Sequence, residues 1–173
     1  LARPYSQYGY RKDQRYYALN VLRELDRRFR FGMGKHPVLG NASVAVTDVS
    51  VHTNSLNAVP DRFTIYLDRR ITLNEPHDDV INLIKGLIPD YLQEEIKVEE
   101  LVYDEPSYTG FRFPLTKYFP AWLQEETHPL VQAGQKTVRE LWDEERPLGT
   151  WDCSTNGTYW AGKGGIPSIG FGP

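Results

Sequence analysis

Apolar residues in the first part of the chain follow a helical period and then a strand period. Between Asp13 and about Arg30 they recur every four positions, which predicts a helix with Asp13 as its N-cap. Residues 43–51 and 62–68 are rich in β-branched and aromatic side chains and roughly alternate, which predicts two strands. Turn-forming residues 54–60 separate these strands, so they are close enough in sequence to pair antiparallel. The helical stripe consists of Tyr17, Val21, Leu25 and Phe29, with Ala18 and Leu22 beside them.

A second helix and a third strand are predicted next. Glu75-Pro76 opens the helix, because proline suits a first helical turn. Residues 96–103 predict the strand. Preceded by one more strand, this order gives a ferredoxin-like fold, in which one antiparallel sheet carries two helices on one face. The predicted fold class is therefore α+β. The predicted buried stripe of the second helix is Val80, Leu83, Ile84, Leu87 and Ile88.

The remainder of the chain has a different organisation. Residues 106–129 are aromatic and contain four prolines, and we interpret them as a connection between modules. A helix is predicted from Leu130 to about Trp142, and residues 151–173 predict Gly-rich loops around a short buried strand. We therefore divide the chain into a ferredoxin-like domain at 1–110 and, at 111–173, a fragment of an α/β domain. The core candidates of the last helix are Val131, Val138, Leu141 and Trp142.

Both ends of the sequence indicate a piece of a longer protein. The chain begins at Leu1, and the first strand of the ferredoxin-like pattern is missing. It closes with an apolar run, 166–173, that ends in Gly-Pro turn chemistry. The alternative is an edge strand at a genuine C-terminus.

Composition limits the class of protein. The 173 residues carry a formal charge of −3 with 13% aromatic residues, and the pI is near 5.8, which argues against disorder and against a general nucleic-acid binder. No apolar run approaches a membrane span, and the start does not resemble a signal peptide. The single cysteine, Cys153, excludes a disulfide framework and suits a reducing compartment. We expect a cytoplasmic protein with neither a membrane nor a nucleic acid as its partner.

The four histidines do not form a recognisable metal site in the sequence. Asp48 and His52 lie about 13 Å apart on a strand, too far to chelate one ion unaided. His77 opens a helix where the following aspartates favour the positive end of the helix dipole. His36 and His128 each precede a proline and belong to no ligand-spaced cluster. The sequence therefore predicts no metal ligands and no catalytic residue within the chain itself.

Two other motifs favour structural roles. Cys153-Ser154 has no Gly-x-Ser-x-Gly elbow and no recognisable histidine partner, so a structural cysteine and a loop-capping serine are favoured over a nucleophile. The run Gly162-Lys-Gly-Gly165 lacks the Walker spacing of a phosphate-binding loop. Its glycines are predicted to let the chain turn into the final strand.

Candidate carboxylate-binding residues lie at turns and strand ends. Asn57 is placed at a turn and Arg70 at the end of the next strand, and a guanidinium and an amide together suit a carboxylate. The loops that contain Ser154, Asn156 and Gly172 are expected to offer free backbone N–H groups for a carboxylate or an oxyanion. The alternative interpretation is a hairpin turn, a surface ion pair and ordinary loops.

At these same positions the sequence resembles the dinuclear-zinc amidohydrolases and peptidases, which include acetylornithine deacetylase, succinyl-diaminopimelate desuccinylase, carboxypeptidase G and the aminoacylases. Asn57-Ala-Val-Pro-Asp61 resembles the Asn-x-x-Pro-Asp turn of the family's lid, or dimerisation, domain. Leu67-Asp-Arg-Arg-Ile-Thr-Leu-Asn-Glu75 resembles its Asp-x-Arg strand end and the turn that follows. Ser154-Thr-Asn-Gly157 and Gly165-Ile-Pro-Ser-Ile-Gly-Phe-Gly-Pro173 resemble its Gly-Ile-Pro strand and substrate loop. Asp104-Glu-Pro-Ser-Tyr-Thr-Gly110 and Ser154-Thr-Asn-Gly157 look closest to the branch described as selenium-metabolism hydrolases.

This resemblance implies a metal-dependent hydrolase of amide bonds in N-acyl amino acids or small peptides. It implies two zinc ions per intact chain that activate a bridging water, with ligands outside this sequence, and a glutamate as general base. It also implies a lid domain at 1–110 that forms a homodimer, and a returning segment of the catalytic domain at 111–173. Alone, the chain is expected to be inactive.

The resemblance assigns substrate binding to five residues. Arg70 and Asn57 are implied to contact the substrate carboxylate across a dimer, and Ser154, Asn156 and Gly172 to form the substrate loop. The sequence departs from the family at Asn156, where an aspartate is common, and no lid histidine is found before Ala18. The alternatives are a non-catalytic dimerisation module that has lost its metal centre and an RNA-binding ferredoxin-like domain. The RNA-binding alternative lacks the aromatic strand motif and the basic charge that it needs.

Overall fold

The computed structural model describes residues 33–171 except Val59, together with Asn20, Arg23, Glu24 and Arg27. These four residues have helical backbone, in agreement with the first predicted helix. The other positions of that helix, including its predicted N-cap Asp13, lie outside the described residues. So does Gly172.

Within the described residues of 33–171 the structure contains six strands, two α-helices, a 3₁₀ turn and a π-helix. In chain order they are β1 (Lys35–His36), β2 (Gly40–Asn41), β3 (Ser43–His52), β4 (Arg62–Arg70), α1 (His77–Gly86), the 3₁₀ turn Asp90–Leu92, β5 (Val102–Tyr103), β6 (Leu115–Thr116), α2 (Pro129–Trp142) and the π-helix Thr158–Lys163. The protein is therefore of mixed α and β structure, with small antiparallel sheets.

The hairpin β3–β4 confirms the two predicted strands and their antiparallel pairing. Its register pairs Ser43 with Arg70 at one end and His52 with Arg62 at the other. The register shifts at Thr47, which is the extra residue of a β-bulge. The two strands form a sheet of their own, so most of β3 remains exposed.

The third predicted strand is wrong over most of its length. Only Val102–Tyr103 is a strand, and it pairs with Leu115–Thr116 rather than with the β3–β4 hairpin. Ile96 and Val98 are half-buried and the residues around them are exposed, so the alternation correctly indicated an extended segment. Alternation does not, however, specify which strand such a segment pairs with. The described strands consequently form three separate two-stranded sheets.

The helices α1 and α2 confirm two further predictions. Val80 and Val131 are their buried residues, as expected from the apolar stripes. Leu141 and Trp142 were predicted as core but are 66% and 56% exposed, and the Trp142 ring lies 6.2 Å from that of Phe171 at the wall of an open cleft. None of the described helices has the length and apolar character needed to cross a membrane.

The buried strand predicted near the C-terminal end is wrong. The described residues that follow the π-helix make no strand, and Ile166 is 57% exposed. Ile169 instead contacts α2, with its Cδ1 atom 2.9 Å from the point where a Cβ atom on Gly134 would lie. A strand needs a neighbouring ladder, and none of the described strands lies beside this segment.

Candidate functional site

Arg70 connects the end of β4 to a loop 82 residues further along the chain. Its Nε donates to Asp68 Oδ2 at 3.1 Å, and its Nη1 donates to the carbonyl oxygen of Asp152 at 2.5 Å. The side chain is 52% exposed, and its Nη2 donates to none of the described residues. Arg70 is therefore oriented on two sides and has one nitrogen available to a ligand.

Arg70 and Ser154 line the same cleft, which has a volume of about 1930 Å³. The cleft lies between the end of β4, helix α2 and the segment around Asp152. Five aromatic side chains contribute to its walls: Phe119, Trp122, Trp142, Trp151 and Phe171. A cleft with apolar walls and a few polar groups is the usual form of a small-molecule site. Arg70 and Ser154 thus share one cleft within a single chain, and the implied contact of Arg70 with a substrate across a dimer stays a prediction.

Asn57 and Asn156 do not join Arg70 in this cleft. Asn57 lies in the turn beyond His52 and Arg62, so the length of the strands places it more than about 26 Å from Arg70. The carbonyl oxygen of Asn156 accepts from the N–H groups of Tyr159 and Trp160, at 3.0 and 3.3 Å, and so starts the π-helix. Of the five predicted site residues, the structure brings Arg70 and Ser154 together.

The loop after Ser154 offers fewer free N–H groups than the sequence indicated. The N–H of Gly157 donates to Thr155 Oγ1 at 3.2 Å, and that of Thr158 donates to the Thr155 carbonyl at 3.1 Å. Ser154 Oγ lies 3.4 Å from Thr158 Oγ1, within hydrogen-bond distance. The expectation of free donors is therefore wrong at Gly157, because the Thr155 hydroxyl oxygen accepts a hydrogen bond from its N–H group.

A buried ion pair lies directly behind Arg70 and was not predicted. Arg69 donates through Nη2 to Glu75 Oε1, and the two side chains are only 7% and 11% exposed. The same carboxylate accepts from the backbone N–H groups of Gly34 and Thr72, each at 3.0 Å. One carboxylate therefore joins the segment before β2, the end of β4 and the turn that leads to α1.

The surroundings of Glu75 favour its charged form. Burial raises the pKa of the Glu75 carboxyl, but the N–H groups of Thr72 and Gly34 and the Arg69 guanidinium together outweigh it, so the net shift is below the ordinary value. Gly34 is required by this arrangement, since a Cβ atom there would lie 2.5 Å from Glu75 Cδ. The pair is thus an enclosed and charged element of the fold.

The alternation in β4 is the signal that could have revealed this pair. Phe63, Ile65 and Leu67 alternate along β4 and therefore share one apolar face of the strand, and Arg69 continues that face. A buried arginine needs a carboxylate. Glu75 is the first carboxylate downstream of Arg69 in the sequence.

Each histidine makes a structural contact in a different part of the fold. The ring of His36 accepts from the N–H groups of Val38 and Leu39 at 3.2 Å, and that of His128 caps α2 by accepting from Leu130. His52 contacts Asp61 at 2.6 Å near the turn of the β3–β4 hairpin.

His77 contacts Glu100, and its ring lies 4.1 Å from that of Tyr118. Burial, followed by the nearby charge of Glu100, raises the pKa of Tyr118 above its ordinary value. Lys163 lies over the Tyr118 and Tyr159 rings, at 5.7 and 4.6 Å from their centres. This cluster joins α1 to the π-helix.

The described residues do not provide a place for the implied zinc ions. Among them, no three His, Cys, Asp or Glu side chains are close enough to hold a metal ion. The free Cys153 is exposed. These described residues therefore do not fit a zinc centre.

Comparison with known proteins finds a relative of undetermined function. The chain is 34% identical over 155 residues to the uncharacterized protein YgeY of Escherichia coli strain K12, and equally to YgeY of Escherichia coli O157:H7. The alignment covers 90% of this chain and 37% of YgeY, so the chain spans little more than a third of the curated relatives that it matches. No family profile matches the chain. No solved structure matches it.

Proposed function

We propose that the chain is part of a metal-dependent hydrolase of amide bonds in N-acyl amino acids or small peptides, and that Arg70 binds the carboxylate of the substrate. The observation that supports this most directly is the position of Arg70. Its guanidinium is half exposed at the edge of an aromatic cleft and is held by Asp68 and the Asp152 carbonyl, and its Nη2 remains available.

The chemistry of this position suits an acid. The two N–H groups of Nη2 can donate to a carboxylate oxygen, and charge-assisted hydrogen bonds of this kind are about twice as strong as neutral ones. Because two nitrogens of Arg70 are already bonded, the guanidinium is oriented before a ligand arrives, which reduces the entropic cost of binding. Aromatic walls suit the apolar part of an acyl amino acid.

In this proposal residues 1–110 form a ferredoxin-like lid that pairs with a second copy of the protein. Val46, Val49 and Val51 on β3 are 47%, 40% and 49% exposed in a sheet of only two strands, which supports further pairing or packing at this surface. The distance between Asn57 and Arg70 within one chain supports a role for Asn57 in the cleft of the partner subunit.

The zinc ions of the proposal belong to the intact protein. The described residues offer no ligand set for them, so this chain contributes recognition of the substrate, and residues 111–173 contribute the wall of the cleft around Ser154. Dimer formation, zinc content and turnover are therefore properties to be measured on the full-length protein.

Metal analysis and turnover of the full-length protein test the proposal. After expression with zinc in excess, we expect about two zinc ions per chain and hydrolysis of a panel of N-acetyl amino acids. Removal of zinc by a chelator is expected to abolish hydrolysis, and re-addition of zinc to restore it. A zinc-free, inactive and dimeric protein would contradict the hydrolase and support the non-catalytic dimerisation module.

A further inference from the structure

We propose that the buried Arg69–Glu75 pair is a positioning element that aligns Arg70 with the substrate carboxylate. This inference rests on the proposed function, in which Arg70 is the carboxylate-binding residue. Arg69 and Glu75 do not touch the ligand in this account. They act by fixing the backbone from which the Arg70 side chain extends.

The guanidinium of Arg69 binds the backbone on both strands at the level of Arg70. Its Nη1 donates to the carbonyl oxygen of Arg70 and, at 3.4 Å, to that of Ser43, which is the residue paired with Arg70 across the hairpin. Neighbouring residues of a strand point to opposite faces, and the Arg69 side chain is accordingly 7% exposed and that of Arg70 52% exposed, although both residues contribute to the lining of the cleft. A shift of the Arg69 guanidinium would therefore move the base of the Arg70 side chain.

Glu75 holds the Arg69 guanidinium in place. Its carboxylate accepts from Arg69, from Gly34 and from Thr72, and Thr72 is only 3% exposed. The carboxylate is thus anchored to the backbone at Gly34, which precedes β1, and at Thr72, two residues beyond Arg70. These two contacts fix the position of the carboxylate that binds Arg69.

The orientation of the Arg69 guanidinium depends on the hydrogen bonds of Nη1 and Nη2, because Nε contributes none in the described part of the chain. Arg69 Nε is buried and has no hydrogen-bond partner among the described residues. Among the described residues, the hydrogen bonds that orient the guanidinium are those of Nη1 and Nη2. If Glu75 is removed, Arg69 loses the carboxylate that it contacts in this part of the chain, and the Arg70 carbonyl loses a fixed donor.

The test uses two substitutions in the full-length protein. Glu75→Gln keeps the shape of the side chain but removes the charge and replaces one acceptor oxygen by a donor. Arg69→Lys keeps a positive charge beside Glu75 but removes the forked donor that reaches Ser43 and Arg70. Glu140→Gln is the matched control, because Glu140 forms an exposed pair with Lys136 on α2, at 3.6 Å.

Steady-state kinetics distinguish a misaligned Arg70 side chain from a general loss of the fold. For an N-acetyl amino acid we expect each substitution to raise KM fivefold or more and to leave kcat within twofold, since substrate binding alone is weakened. For the carboxamide of the same compound, kcat/KM is expected to stay within twofold of wild type, as it is for both compounds in Glu140→Gln. An equal fall of kcat for acid and carboxamide would assign the pair a purely structural role and overturn the proposal.

A spectroscopic readout does not depend on turnover. In protein labelled with ¹⁵N-arginine, the Nε–Hε signal of Arg70 is identified by its loss in Arg70→Lys. We expect this signal to shift in Glu75→Gln and Arg69→Lys and to stay unchanged in Glu140→Gln. An unchanged signal in both variants would overturn the positioning role, whereas a shifted signal in a protein without hydrolase activity would retain it and refute only the proposed function.

Discussion

Replacement of Arg70 by alanine in the full-length, zinc-loaded protein is expected to lower kcat/KM for N-acetyl amino acids by tenfold or more. In the proposed site Arg70 supplies a charge-assisted hydrogen bond to the substrate, and such bonds contribute about 1.5–3 kcal/mol. A difference of about 1.4 kcal/mol corresponds to a tenfold change. Steady-state kinetics on wild type and Arg70→Ala measure this loss directly.

Arg112→Ala is the matched control for this experiment. Arg112 is 58% exposed, compared with 52% for Arg70, and it likewise contacts an aspartate and a backbone carbonyl, both of Asp104. It does not line the cleft. We expect Arg112→Ala to leave kcat/KM within twofold of wild type. An Arg70→Ala variant as active as Arg112→Ala would remove Arg70 from the site.

Replacement of Glu75 by alanine is expected to lower the free energy of unfolding by about 3–5 kcal/mol, because it leaves the buried Arg69 guanidinium without its carboxylate. It also leaves the N–H groups of Gly34 and Thr72 without an acceptor. Urea unfolding at pH 7 measures the change. Glu140→Ala, which removes an exposed pair, is expected to cost no more than about 0.5 kcal/mol.

The pH dependence of stability gives a second check on Glu75. Its pKa is lower in the folded than in the unfolded chain, so the unfolded chain takes up the proton first as the pH falls. The contribution of Glu75 is therefore complete above about pH 4.5 and decreases as the pH falls through the lowered pKa. We expect Glu75→Gln to lose this part of the acid dependence. A profile identical to wild type would show that the carboxylate is not charged in the folded protein.

Local periodicity was sufficient to predict the β3–β4 hairpin and both described α-helices. In β3–β4 the alternation lies within two strands joined by a short turn, so sequence neighbours are also pairing partners. The segment from Ile96 alternates equally well, but only its last two residues find a partner, at Leu115–Thr116. Pairing depends on what the rest of the chain brings alongside, and alternation carries no information about it.

In the candidate site, too, some features could be predicted from the sequence and others could not. The position of Arg70 at a strand end was predicted from the motif around it, whereas the core-facing position of Arg69 was not predicted, although the alternation of the strand extends to it. The contact of Arg70 with the Asp152 carbonyl was beyond prediction, because it joins residues 82 positions apart. The separation of Asn57 from Arg70 follows from strand length once the register is known.

Recognition of a carboxylate by Arg70 is the central claim, and a comparison of an acid with its amide tests it most directly. The measurement is kcat/KM of the full-length protein for an N-acetyl amino acid and for the corresponding carboxamide, in wild type and in Arg70→Ala. We predict that wild type prefers the acid by tenfold or more and that Arg70→Ala abolishes this preference. Equal values for acid and carboxamide in wild type, or a preference that persists in Arg70→Ala, would contradict the account.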